Sequence, residues 1–259
     1  MTYCVAMRLS SGIVFLSDSR TNAGVDHIGT FRKMNVFEAE GDRILVMMTA
    51  GNLAISQAIR QAIEKKETPE GDTIWTVPTM FEAARLFGDV IRDIHKRDGE
   101  ALSQFGIDFN CSIILGGQIK CEAPRLFQLY SAGNFIEATD ENLYFQIGEA
   151  KYGKPIIDRV VKPDTSLDEA AKCALISMDS TLRSNLSVGM PLDLLCYEKD
   201  ALRVTRFANI DHTNQYMALI RQTWGARLQQ AFAELPEPDW TQLDQQHKGL
   251  GLLKTQRKG

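Results

Sequence analysis

The sequence predicts an α+β fold, a four-layer α/β/β/α sandwich in which two antiparallel sheets are covered by helices. Three observations predict it. Strand-like segments come in blocks joined by turn residues, instead of alternating singly with helices. Apolar stripes at helical spacing fall between those blocks. There is no P-loop, and Gly116-Gly117 lacks the further spaced glycine of a dinucleotide fingerprint, so nothing marks a nucleotide-binding parallel sheet.

The elements follow in order. Tyr3 to Leu9 is β-prone, Ser10-Ser11-Gly12 is turn chemistry, and Ile13 to Asp18 returns as the second arm of a hairpin. Glycines, Asn22 and Asp26 make Ser19 to Thr30 a loop. Phe31 to Glu40 and Arg43 to Met48 pair as strands around Glu40-Gly41-Asp42. After Gly51, the residues Leu53, Ile55, Ala58, Ile59, Ala62 and Ile63 form a helical stripe. A polar connection, Thr68 to Pro78, leads to a second helix whose stripe runs from Met80 to Ile94. Strands resume at Asn110 to Gly117, where Gly116-Gly117 reads as a hairpin turn, and continue at Leu126 to Ser131 and Leu143 to Ile147. Helices follow at Ile156 to Val161 and Ser166 to Asn185; Asp164 or Ser166 caps the second, with Glu169 three residues after Ser166 in a capping-box arrangement. Leu192 to Tyr197 and Leu202 to Phe207 read as closing strands, and Tyr216 to Ala233 as the last helix. Residues 2–210 are thus expected to form one domain. Residues 211–259 are expected to be a helical extension docked on that domain or on a neighbouring subunit.

Composition narrows the class of protein. Lys and Arg number 29 against 33 Asp and Glu, a net charge of −4, which argues against a nucleic-acid binder. No apolar run is long enough for a membrane span or a signal-peptide core. The five cysteines (Cys4, Cys111, Cys121, Cys173, Cys196) stand singly, which fits reduced thiols in the cytoplasm better than a disulfide framework. The four histidines are far apart in sequence, and neither a metal site nor a cofactor is expected.

Thr2 is the residue that carries chemistry. Initiator methionine is normally removed before a small residue, and a terminal threonine unites a hydroxyl nucleophile with an amine base. Its α-amine titrates near 7.7–8.0, so it is partly neutral at physiological pH. A threonine in second position is also common without any such role. The hairpin adds a partner: with Leu9 facing Gly12, Thr2 comes opposite Ser19 and Tyr3 opposite Asp18. Asp18 and Ser19 are equally ordinary turn-capping residues.

Thr2, Ser17-Asp18-Ser19-Arg20, Asn22-Ala23-Gly24, Lys33 and Thr49-Ala50-Gly51 resemble the N-terminal half of proteasome β-type subunits and the bacterial relative HslV. Met1 to Arg8 and Asp18 to Asp26 are most similar to the openings of the Anbu, or ancestral β-subunit, class. The likeness spans about the first two hundred residues and is strongest in the first fifty. It implies an N-terminal-nucleophile hydrolase in which Thr2 attacks a peptide carbonyl and forms an acyl-enzyme. By the same likeness Asp18 orients the site, Lys33 is the buried lysine near the nucleophile, and the Gly51 N–H faces the oxyanion. A lysine cation beside the threonine favours its deprotonated form, and Asp18 keeps that lysine charged. Arg20 is expected to be structural, paired with a nearby carboxylate.

Downstream the pattern departs from the family. Glu149, in Ile147-Gly148-Glu149-Ala150, stands where the family carries a serine. In Arg183-Ser184-Asn185-Leu186-Ser187-Val188-Gly189, Ser187 keeps the serine position and Ser184 replaces an acid. The expected function is a threonine peptidase acting on peptides within a homo-oligomer of many subunits. An amidase for a small amide and a catalytically weak ring subunit are the alternatives. Without an ATP-binding motif, any unfoldase must be a separate chain.

Overall fold

The N-terminal hairpin forms in the register its turn requires. Strands β1 (Tyr3–Leu9) and β2 (Gly12–Asp18) pair with Leu9 facing Gly12 and Cys4 facing Ser17. The computed structural model describes residues 1–22 and 28–240. The Ala23-Gly24 and Val25-Asp26 positions of the family likeness, and the end of the extension from 241 on, lie outside the described residues.

Two five-stranded antiparallel sheets stack face to face. The first adds β10 (Tyr144–Gly148) beside β1, then β11 (Leu192–Glu198) and β12 (Arg206–Ile210) beyond β2. The second runs in chain order through β5 (Met34–Ala39), β6 (Arg43–Gly51), β7 (Cys111–Ile119), β8 (Arg125–Leu129) and β9 (Phe135–Glu137). Helices α1 (Leu53–Ile63) and α2 (Met80–Gln104) cover the second sheet; α3 (Lys154–Val160) and α4 (Leu167–Ser184) cover the first.

Three apolar layers follow from strand alternation. On β1, Tyr3, Val5 and Met7 face α4 while Cys4 and Ala6 face the other sheet. On β6, Leu45 and Met47 face α1 and α2 while Ile44, Val46 and Met48 meet the first sheet. The inner strands are therefore buried on both faces, and the four-layer sandwich holds. Ser166 and Glu169 form the expected capping box at the start of α4.

Several sequence expectations are corrected. Within Ser19 to Thr30, short strands β3 (Arg20–Asn22) and β4 (Ile28–Thr30) pair with each other, where a loop was expected. Gly116-Gly117 is no turn but lies inside β7. A Cβ on Gly116 would come within 2.9 Å of Phe15, and Gly117, at φ +150, leaves no room beside the Ile44 carbonyl. Close sheet approach, not chain reversal, requires these glycines. The last strand is Arg206–Ile210 and not Leu202–Phe207, because Asp200 and Leu202 take positive φ in the turn before it. Helix α2 runs ten residues past Ile94 on a polar, exposed face that carries no apolar stripe.

The chain divides into two units, Met1–Arg221 and the residues from Gln222 on. Helix α5 (Gln215–Glu234) begins in the first, where Met217 and Ile220 join the layer over α4. In the second unit Leu228, Phe232, Leu235 and Trp240 are all exposed.

Candidate active site

Thr2 immediately precedes β1, and its carbonyl accepts a hydrogen bond from the Glu149 N–H at 2.8 Å. Gly148 makes that approach possible: at φ +81, a Cβ there would lie 1.9 Å from the Thr2 oxygen. The next residue anchors the terminus. Tyr3 is fully buried, its hydroxyl bonded to Ser177 and accepting from Gln146 Nε2 at 2.6 Å.

Asp18 ends β2 and is fully buried. Its Oδ1 accepts from Lys33 Nζ at 2.6 Å and from the Tyr3 N–H at 3.0 Å; its Oδ2 accepts from the Gly189 N–H at 3.3 Å. Burial outweighs these three donors and raises the carboxyl above its ordinary value. Lys33 stands just before β5 and is itself buried. An isolated buried ammonium is costly, so the carboxylate explains why this lysine can be inside. The reading of Asp18 facing the Tyr3 end of the hairpin becomes a direct bond, from the Tyr3 main chain.

Thr2, Lys33 and Gly51 line one cavity of about 420 Å³, with Met1, Arg20, Thr21, Thr49, Ala50, Gly148 and Glu149 among its walls. Asp18 lies behind Lys33. Gly51, the last residue of β6, has φ +110, and any Cβ would collide with the Asn110 carbonyl at 2.4 Å. Only glycine fits there. The chain-terminal amine at Met1 sits at this cavity, lowered below its ordinary value by partial burial and by Lys33, and opposed by Asp18 and Glu149.

Ser187 is not brought into the cavity wall. It occupies the turn after α4, where its N–H bonds Asn185 Oδ1 at 2.9 Å. The same turn reaches Asp18 through Gly189. Arg20 is corrected: its Nη1 donates to the Leu186 carbonyl at 2.8 Å, and among the described residues it has no carboxylate partner. Packing explains the choice, since Gly189 lies against the guanidinium. The Tyr3 and Gly189 donors to Asp18 were missed in the sequence because main-chain N–H groups leave no residue signature.

A buried Asp18–Lys33 pair thus opens onto the cavity that Thr2 lines, on a sandwich of two antiparallel sheets of the N-terminal-nucleophile type. The family model described as proteasome subunit matches residues 2–193. The chain is 53% identical to an Anbu (ancestral β-subunit) structure from Yersinia bercovieri, covering 91% of this chain and 98% of that one, with a TM-score of 0.85. A structure of the helical assembly of the Anbu complex from Pseudomonas aeruginosa is 46% identical over 91% of this chain and 98% of that one, with a TM-score of 0.85. A proteasome subunit β2 from Pyrobaculum calidifontis is 26% identical over 77% of this chain and 90% of that protein. The chain belongs to the proteasome subunit family, in its Anbu class.

Proposed function

We propose that the chain is a threonine-type peptidase whose nucleophile is Thr2, exposed once Met1 is removed. The observation that carries this reading is the buried Asp18–Lys33 pair opening onto the cavity that Thr2 lines. The Thr2 hydroxyl attacks the substrate carbonyl carbon and passes its proton to the freed α-amine. Lys33 favours the developing alkoxide electrostatically, and the Gly51 N–H is aimed at the oxyanion. Collapse expels the amine fragment with that proton and leaves an ester on Thr2. Water then attacks the ester while the α-amine takes its proton; collapse releases the acid, and the α-amine returns that proton to the Thr2 oxygen, restoring the hydroxyl. Ser187 steadies the turn that feeds the Gly189 N–H to Asp18.

Assembly into a homo-oligomer of many subunits belongs to the same reading, supported by the Pseudomonas helical assembly. Residues 211–259 serve as its docking extension, with Leu228, Phe232, Leu235 and Trp240 available for a neighbour. Peptides are the substrates, in the cytoplasm, and folded proteins would need a separate unfoldase. Intact mass after treatment with an epoxyketone tests the nucleophile. One adduct on a chain lacking Met1 is expected; active protein that retains Met1 would overturn the mechanism. Sedimentation of the same sample is expected to give a large homo-oligomer, and a stable active monomer would refute the assembly.

A further inference from the structure

Residues 31–33 carry Lys33 to the cavity without belonging to any strand. Their main chain is held at two points, Phe31 N–H to the Ser19 carbonyl at 2.9 Å and the Lys33 carbonyl to the Thr49 N–H at 3.2 Å. A second side-chain tie lies beside the Lys33–Asp18 pair. Arg32 Nε meets Asp193 Oδ2 at 3.1 Å, although Arg32 is 62% exposed and the Asp193 side chain only 1%. Asp193 lies on β11 next to Leu192, which faces Asp18 across the ladder. Its other oxygen accepts from Asn209 Nδ2 at 2.8 Å, and the Arg32 guanidinium passes over the Phe207 ring at 5.7 Å. Consecutive cations of one irregular segment are thus tied to acids on adjacent strands of the first sheet.

We propose that Arg32 and Asp193 are positioning residues, a clamp that holds the 31–33 segment so that Lys33 Nζ stays on Asp18 and in the Thr2 cavity. This rests on the role given to Lys33 above. An exposed arginine on a buried acid fastens the segment that carries it, and here that segment is the one that delivers Lys33. The carboxylate needs a cation because a lone amide donor does not balance a buried negative charge. Paired with that acid and lying over the aromatic face, the arginine restrains the segment that carries its neighbour Lys33. Ser17, directly across from Asp193, offers no help: its buried hydroxyl has no partner among the described residues.

The test uses the full chain and two readouts. Epoxyketone labelling of Thr2 reads the nucleophile, and mass-spectrometric mapping of an amine-reactive acylating reagent reads the exposure of Lys33. Arg32→Ala is expected to slow Thr2 labelling about ten- to hundredfold at saturating reagent with half-saturation unchanged, since small displacements at a reacting centre are costly. The same variant is expected to raise Lys33 acylation, while Arg32→Lys, which keeps the charge, restores both towards wild type. Asp193→Asn repeats the pattern, and Arg32→Ala guards against its failing to fold. Unchanged Lys33 acylation in folded Arg32→Ala would overturn the clamp. Wild-type protein that never labels at Thr2, while Lys33 acylation still rises in Arg32→Ala, would refute the proposed nucleophile and leave the clamp standing.

Discussion

Asp18 and Asp179 are both buried acids facing basic residues, yet they do different things. Among the described residues Asp18 meets one cation, Lys33, whose side chain is itself only 7% exposed. Asp179, on α4, meets two: Arg183 at 3.1 Å and Arg221 at 3.0 Å, with side chains 57% and 47% exposed. In the first pair both charges have left water, so each exists only because of the other. In the second the cations keep their hydration and tie α4 to the start of α5. Burial of the partner, rather than distance, separates the two kinds of pair.

The largest effect expected is from Lys33→Ala. It removes the sole side-chain cation on Asp18 among the described residues, is expected to abolish epoxyketone labelling of Thr2, and costs about 3 kcal/mol of stability by urea unfolding. Labelling at the wild-type rate would break the contrast at its centre.

A subtler effect separates the acids by pH. Because burial raises Asp18, the native state holds its proton more tightly than the unfolded chain does. The associated stability is full below the ordinary carboxylate value and is lost as pH rises through the native value. Urea midpoints taken from about pH 4 to 7 should therefore fall less in Asp18→Asn than in wild type, other carboxyls being common to both. An identical slope in the two proteins would show that Asp18 is not perturbed.

The smallest effect belongs to the exposed cations. Arg183→Ala leaves Arg221 on Asp179, is expected to cost under about 1 kcal/mol, and leaves Thr2 labelling within about twofold. A loss equal to that of Lys33→Ala would mean that solvent exposure does not distinguish the pairs.

Much of the site was legible in the sequence because it is built on strand register. Once Leu9 faces Gly12, the placement of Asp18 near the chain start follows from counting, and the structure bears it out through the Tyr3 N–H. The helix over 53–63 was legible from its apolar stripe, and the one over 167–184 from its capping signal. Three-residue strands such as Phe135–Glu137 have too few positions to show alternation, and this one was missed. Gly116-Gly117 misled because glycine marks both turns and tight contacts, and only the position of Phe15 and Ile44 decides between them. The Arg32–Asp193 tie was invisible because the two residues meet only through the fold of the whole first sheet.

The anchoring of Tyr3 has a consequence for entropy. Its ring lies wholly inside, its hydroxyl bonded to α4 and β10, and the Thr2 carbonyl is bonded to Glu149. Chain ends ordinarily fray, and freezing one residue's backbone costs about 1–2 kcal/mol. Here that ordering is completed when the protein folds. The reaction proposed at Thr2 would then start from a main chain already held in place, so the barrier would carry less of a search among conformers.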